Sequence, residues 1–384
     1  MLKYILLLIS IVGTHAITHG QTSHYKDSLS TKHTYLTTRF HGGIVVPHHA
    51  NMMYFLNDFS SGIEINYGRS TFSESSWESY FNYPEIGIGL YYGTFGNKTI
   101  YGSGLALFPY INYKIYRSPK LSIQNKVALG LGYATKPFDI ENNTYNTVFS
   151  SHFNAYIGLA LLADYRLSDH FSVALSASLT HLSNGASRKP NHGINTLTAS
   201  LGAKYHFNPH LTPILQKISA PKNQMREFII VGSIGRSQST FYNQELYWNG
   251  SLSINHLWHL NAKKAIGIGY DQFYSETAPY AWAPKDEYPA NTDYSSRHYI
   301  FNGLFASYNV FLNKTTLFVN VGAYLHTNIS PPQALYPRMG VRQMIGKNFI
   351  ANFSVKASFF RSEFLEFGVG CRIPYTRNKH NEKN

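Results

Sequence analysis

Residues 171–183 read FSVALSASLTHLS and residues 194–207 read INTLTASLGAKYHF. In the first stretch Phe171, Val173, Leu175, Ala177, Leu179, His181 and Ser183 share one parity, while Ser172, Ala174, Ser176, Ser178 and Thr180 share the other. In the second, Asn195, Leu197, Ala199, Leu201, Ala203, Tyr205 and Phe207 alternate with Thr196, Thr198, Ser200, Gly202 and Lys204. Side chains of a strand point alternately to two faces, so each stretch is an extended segment with one apolar and one small or polar face. The Gly, Pro and Asn residues between them make the pair a hairpin. His181, Ser183 and Asn195 then sit on the apolar face near its tip. A soluble enzyme keeps such groups in a cleft. Here they border a face suited to lipid.

The same alternation recurs along the chain. Leu121, Ile123, Val127, Leu129, Leu131 and Tyr133 stand against Ser122, Gln124, Lys126, Ala128, Gly130 and Gly132. An apolar exterior over a small or polar interior reverses the soluble rule and is the pattern of an outer-membrane barrel, in which every backbone group pairs and no edge faces lipid. Connections alternate too: residues 117–119 and 167–169 read as tight turns, 47–60 and 136–150 as long polar loops. Ile86-Gly87-Ile88-Gly89 returns as Ile266-Gly267-Ile268-Gly269, Gly104-Leu105 as Gly303-Leu304, and the turn at 165–171 aligns with 343–349. These repeats suggest a duplicated unit. The expected fold is all-β, an antiparallel outer-membrane β-barrel of about sixteen strands in two tandem eight-strand units. The expected units are 21–207 and 227–384, joined by a linker at 208–226. Alternation alone leaves open one large barrel or two small ones.

The first residues fit export. Lys3 precedes an apolar run from Tyr4 to Gly13, too short to span a bilayer, followed by Thr14-His15-Ala16. That is the layout of a secretory signal, so residues 1–20 are expected to be removed. Elsewhere no run approaches the roughly 20 apolar residues of a membrane helix. Cys371 is the only cysteine, so no intrachain disulfide framework exists. The formal net charge of +13 points to anionic partners. In an exported chain without a basic cluster, these are phosphorylated lipid or cell-surface glycan rather than nucleic acid. His48-His49 lacks a third, spaced ligand, so no metal is assigned, and no cofactor is expected.

Residues i and i+2 of a strand lie about 6.8 Å apart on one face, close enough for a rotated His181 imidazole to reach the Ser183 hydroxyl. A third group on the adjacent strand can hold the ring. Nucleophile, base and orienter are the parts of acyl transfer. The Asn184 amide, or backbone N–H groups of the turn at Asn184, Gly185 and Ala186, can receive an oxyanion.

His181-x-Ser183-Asn184 followed by Pro190-Asn191-x-Gly193-x-Asn195 resembles the signature of the outer-membrane lipid A 3-O-deacylase (PagL) and acyloxyacyl hydrolase family. The resemblance covers roughly Tyr83 to Phe207. It implies an eight-stranded barrel with Ser183 as nucleophile, His181 as general base and Asn184 with neighbouring N–H groups as the oxyanion site. It also implies lipid A, the anchor of lipopolysaccharide, as substrate. The family's acidic third member falls on Asn195, so Asp139 or Glu141 is a candidate to supply the missing carboxylate. In the second unit Phe359 and Arg361 fall where His181 and Ser183 stand, and the loop 185–193 has no counterpart. If the trio is catalytic, only the first unit is expected to be active. Two other readings follow from the fold alone. One is a porin-like or transport barrel, favoured if sixteen strands enclose one wet lumen. The other is a noncatalytic surface barrel whose contact loop, Glu276–Ser296, carries Tyr280 and Trp282.

Overall fold

The computed structural model describes residues 33–72, 76–209, 219–222, 225–240, 242–282, 294–358 and 361–376. The expected signal at 1–20 lies outside them, as do parts of the 208–226 segment and most of the Glu276–Ser296 loop.

Sixteen strands form two closed antiparallel barrels. The first contains β1 (Thr34–Val45), β2 (Ser60–Ser70), β3 (Glu85–Thr94), β4 (Ser103–Arg117), β5 (Leu121–Ala134), β6 (Phe153–Arg166), β7 (Phe171–Ser183) and β8 (Ile194–His206). The second contains β9 (Met225–Ser237), β10 (Tyr247–Asn261), β11 (Lys264–Ser275), β12 (Ile300–Leu312), β13 (Thr315–His326), β14 (Leu335–Ile345), β15 (Phe349–Ser358) and β16 (Arg361–Thr376). Each barrel is a meander of hairpins closed by its first and last strands, β1 with β8 and β9 with β16. The three sequence repeats fall on equivalent strands. The Ile-Gly pairs lie on β3 and β11, the Gly-Leu pairs on β4 and β12, and the third repeat on the turns before β7 and β15. Among the described residues no helix is long and apolar enough to cross a membrane.

Lys126 is 5% exposed while Leu131, on the other parity of the same strand, is 55% exposed. That inversion is what a hydrocarbon surround selects, because interior polar groups can pair with one another while exterior ones cannot. In the first barrel Lys126 Nζ meets Glu64 Oε1 at 2.9 Å and Asn66 Oδ1 at 3.1 Å, over the rings of Phe108 and Tyr110. Towards the rim of tight turns, Lys204 Nζ bridges Glu85 at 2.8 Å and Asp164 at 2.9 Å. Towards the other rim the interior is apolar, with Tyr91, Phe95, Phe149, Tyr156, Leu182 and Ile194 packed together. Each barrel is thus crossed by side chains, and no lumen is shared by sixteen strands. The condition attached to the transport reading is not met.

The second barrel has its own ionic centre. Arg338 forks onto Glu366, with contacts of 2.9, 3.0 and 3.1 Å, and also pairs with Asp271. Both carboxylates are fully buried. Arg338→Met removes the cation that contacts both carboxylates, and breaking a buried pair in this way costs about 3–5 kcal/mol. Urea titration in detergent should show the second barrel destabilised by that order; an unchanged midpoint would mean the pair is energetically idle. One expectation shifts here. Arg361, aligned by repeat register with Ser183 of β7, opens β16 and pairs with Ser358 of β15. Only residues 359–360 separate the two strands, so a short connection stands where the first barrel has a long loop. Phe359 lies outside the described residues.

Candidate active site

Four connections of the first barrel, at 46–59, 95–102, 135–152 and 184–193, lie on one rim, and the short turns at 118–120 and 167–170 lie on the other. The site is on the loop-bearing rim. His181 and Ser183 end β7 on its outward parity, where the flanking Thr180 and Leu182 turn inward and are buried. His181 is directly opposite Asn195 across the β7–β8 hairpin. Its Nδ1 lies 2.8 Å from Asn195 Oδ1. On the other side Ser183 faces the small side chain of Ala155 of β6.

The loop that closes the hairpin is itself anchored. Asn146 accepts the N–H groups of Val148 and Phe149 and donates to the Lys136 carbonyl, which fixes the 135–152 loop. The carbonyls of Thr147 and Val148 then accept the N–H groups of His192 and Gly193. Gly193 has φ +70, and a Cβ there would stand 2.8 Å from His181 Cε1, 2.9 Å from the Leu182 carbonyl oxygen and 3.1 Å from Ser183 Cβ. Imidazole and serine therefore converge on one point that only glycine leaves open. Gly193→Ala should cost about 1–2 kcal/mol in backbone strain and displace the imidazole. Any acyl transfer at this site should fall at least about tenfold per folded barrel, in line with the sensitivity of catalysis to ångström displacements; an unchanged rate would show that the notch is not needed.

Ser183 Oγ accepts a hydrogen bond of 2.9 Å from Asn191 Nδ2, and Asn191 Oδ1 accepts the Asn184 backbone N–H at 3.2 Å. A backbone N–H can only donate, so it fixes which way the Asn191 amide faces. Asn184 departs from its expected place. Its side-chain NH₂ donates inward to Ser150 Oγ at 3.2 Å and Ser151 Oγ at 3.1 Å, and the residue is 1% exposed. The Asn184 amide ties β7 to the 135–152 loop and does not face Ser183; the amide that reaches the hydroxyl is that of Asn191. Gly185 and Ala186 follow at φ +64 and +67. The left-handed conformation costs an alanine about 1–2 kcal/mol, the kind of local strain that gathers at functional turns.

Asp139 does not take the place of a third carboxylate. It caps its own loop, accepting the N–H groups of Glu141 and Asn142 at 2.9 and 2.8 Å. Those N–H groups, Asn142's first, hold its carboxyl below the usual range. His181 Nδ1 is already taken by Asn195. Among the described residues no cluster of His, Cys, Asp and Glu is arranged to hold a metal. His48 instead enters the site through Asn195: Asn195 Nδ2 lies 3.2 Å from His48 Nδ1, and His48 Nε2 lies 2.8 Å from the His192 carbonyl oxygen.

Residues 61–204 match the family model described as lipid A 3-O-deacylase (PagL), and residues 226–377 match the one described as acyloxyacyl hydrolase, C-terminal domain. The chain belongs to the lipid A 3-O-deacylase family. That family's activity is the hydrolysis of a carboxylic ester. The first match spans His181, Ser183 and Asn195, and the second spans the other barrel, where the resemblance legible in the motif did not reach. No curated protein matches the chain. Among solved structures, a mutant Rh. blastica porin aligns over 90% of this chain and 99% of its own at 13% identity and a TM-score of 0.18. A mutant of the TodX monoaromatic hydrocarbon channel aligns over 91% and 90% at 10% identity and 0.16. CdiB from Acinetobacter baumannii aligns over 90% and 60% at 11% identity and 0.18.

Asn191 and His48 are the site residues whose roles the sequence did not disclose. Asn191 was visible in the motif but its direction depends on the loop backbone. His48 lies 147 residues before Asn195 in the chain. It is delivered by barrel closure, which pairs Val45 with Thr196 and bonds the Val46 N–H to the Asn195 carbonyl at 2.8 Å.

Proposed function

We propose that this protein is an outer-membrane esterase that removes an ester-linked acyl chain from lipid A, as a 3-O-deacylase does, by a Ser–His mechanism in its first barrel. The observation that carries the reading is the pair of directed hydrogen bonds, Asn191 to Ser183 and His181 to Asn195, on the outward parity of one strand end. Asn191 donates to Oγ, so the hydroxyl proton of Ser183 is left to point elsewhere, and the imidazole edge is the nearby base. Oγ attacks the ester carbonyl as its proton passes to His181 Nε2. The tetrahedral oxyanion is met by Asn191 Nδ2 and the turn N–H groups at Gly185 and Ala186. Collapse breaks the ester C–O bond, and the proton on Nε2 goes to the departing sugar oxygen. Water, deprotonated by the same nitrogen, then cleaves the acyl-Ser183 ester and releases the fatty acid.

Placement fits the chemistry. With residues 1–20 as an export signal and the loop-bearing rim outward, Ser183 lies at the depth of the outer leaflet, beside the esters of lipopolysaccharide. The net charge of +13 suits a phosphorylated substrate. The test is mass spectrometry of lipid A incubated with purified protein, together with labelling by a fluorophosphonate. Loss of one acyl chain and a label on Ser183 support the reading; intact lipid A with unlabelled Ser183 would end it.

A further inference from the structure

We infer that His48 is the positioning residue that lets an asparagine serve as the third member of this site, by fixing the direction of a one-way hydrogen-bond chain that ends on His181. One atom of the chain has no freedom. The His192 carbonyl oxygen, 2.8 Å from His48 Nε2, can only accept. Nε2 of His48 therefore carries the hydrogen, and in the neutral ring Nδ1 is bare and must accept. Asn195 must then present its NH₂ to His48 Nδ1, at 3.2 Å, which turns its Oδ1 towards His181. Oδ1 can only accept, so at 2.8 Å it requires the hydrogen of His181 on Nδ1. The remaining ring nitrogen, Nε2, is left with a lone pair. Each step allows one direction, and the sequence ends with the tautomer a general base needs.

Without that chain an asparagine is a poor orienter. Its amide can present either end to an imidazole, and the NH₂ end stabilises the tautomer with a hydrogen on Nε2, which cannot accept a proton from serine. In a serine protease, asparagine in place of the triad carboxylate costs about 10⁴ in turnover for that reason. A carboxylate needs no such guard, because both its oxygens accept. The inference rests on the hydrolase reading for its consequence, but the tautomer itself can be observed whether or not an ester is cut.

The experiment is therefore double. First, the ring nitrogens of His181 are read by ¹⁵N NMR in detergent micelles, for wild type, His48→Leu, His48→Gln and His48→Lys. His48 is an exposed loop residue, so the variants should fold. Wild type should show the hydrogen on Nδ1. His48→Gln, whose amide can also accept from Asn195 and donate to the carbonyl, should match it. His48→Leu should add the other tautomer, and His48→Lys, with donors only, should favour it. Second, ester cleavage should fall about tenfold in His48→Leu, the worth of one hydrogen bond, and further in His48→Lys, towards the limit of about 10⁴. His48→Gln should restore it, with the losses in kcat more than in KM. In an Asn195→Asp background, adding His48→Leu should change the rate little. A His181 spectrum unaffected by every substitution of His48 overturns the inference. If the spectra shift as expected but no variant, wild type included, cleaves an ester, the relay stands and the hydrolase reading fails.

Discussion

Ser183→Ala is expected to abolish acyl release while leaving both barrels folded. Removing the nucleophile of a Ser–His site costs up to about 10⁶ in turnover, and removing the base instead costs nearly as much, because the two act as one unit. His181→Ala and the double variant should therefore sit at the same floor, without additivity. The substitution itself is mild: Ser183 ends β7 at the rim and faces Ala155 across the strand pair. Among what it loses is the bond from Asn191, worth about 1 kcal/mol. Lipid A profiles from cells expressing wild type and variant, normalised to folded barrel on heat-modifiable gels, give the comparison. Acyl loss that persists in Ser183→Ala at equal abundance would mean that another group attacks, or that the activity belongs to another protein.

The second large effect lies at position 195, and its two substitutions should move the rate in opposite directions. Asn195→Leu frees the imidazole and removes the acceptor on Nδ1, and should cost on the order of 10²–10⁴. Asn195→Asp is isosteric and keeps an acceptor at 2.8 Å from Nδ1. It adds a full negative charge beside an imidazolium that forms in the transition state. In the lipid-side setting proposed for the site, where the surroundings screen weakly, that is worth more than in water, and a gain of about ten- to a hundredfold is expected. The gain should fall short of about 10⁴ because His48 already supplies the tautomer, so only the electrostatic part remains to be added. Single-turnover rates on one acyl ester, per folded molecule, decide it. An Asp variant that folds and is slower than wild type would show that the natural site works through a neutral relay that a charge disrupts.

The sequence disclosed what strands disclose locally. Period-2 alternation in 171–183 and 194–207 set the hairpin, its faces and the pairing of His181 with Asn195, because a two-sided strand has one register that keeps leucines outside. The inverted pattern, Lys126 in and Leu131 out, set the environment. Whether sixteen strands close once or twice was not legible. Closure depends on which distant edges pair, β1 with β8 in this case, and every strand carries the same alternation whatever its partner. Loop conformation was equally hidden. Asn184 and Asn191 are the same residue type in one motif, and only the folded 184–193 segment decides that the first amide turns inward to Ser150 and Ser151 while the second meets Ser183. Arg361 shows the same limit: strand parity located it, but the short connection between β15 and β16 places it on the later strand.

The seam between β1 and β8 has a bearing on when the protein can act. Every other neighbouring pair of that barrel is a hairpin, formed between adjacent segments. The seam alone joins the first strand to the last, with Tyr35 opposite His206, and contacts of such separation carry the largest loop-closure cost and form late. A chain inserted with its hairpins made and the seam open already holds Ser183, His181 and Asn195 on one sheet, yet His48 is still on the far edge. Its asparagine is then undirected and its base half disarmed. Assembly thus acts as a safety catch. On the proposed mechanism a nascent or misdirected copy is about tenfold slower towards an ester, the loss expected of His48→Leu, and comes to full strength only once the cylinder has closed.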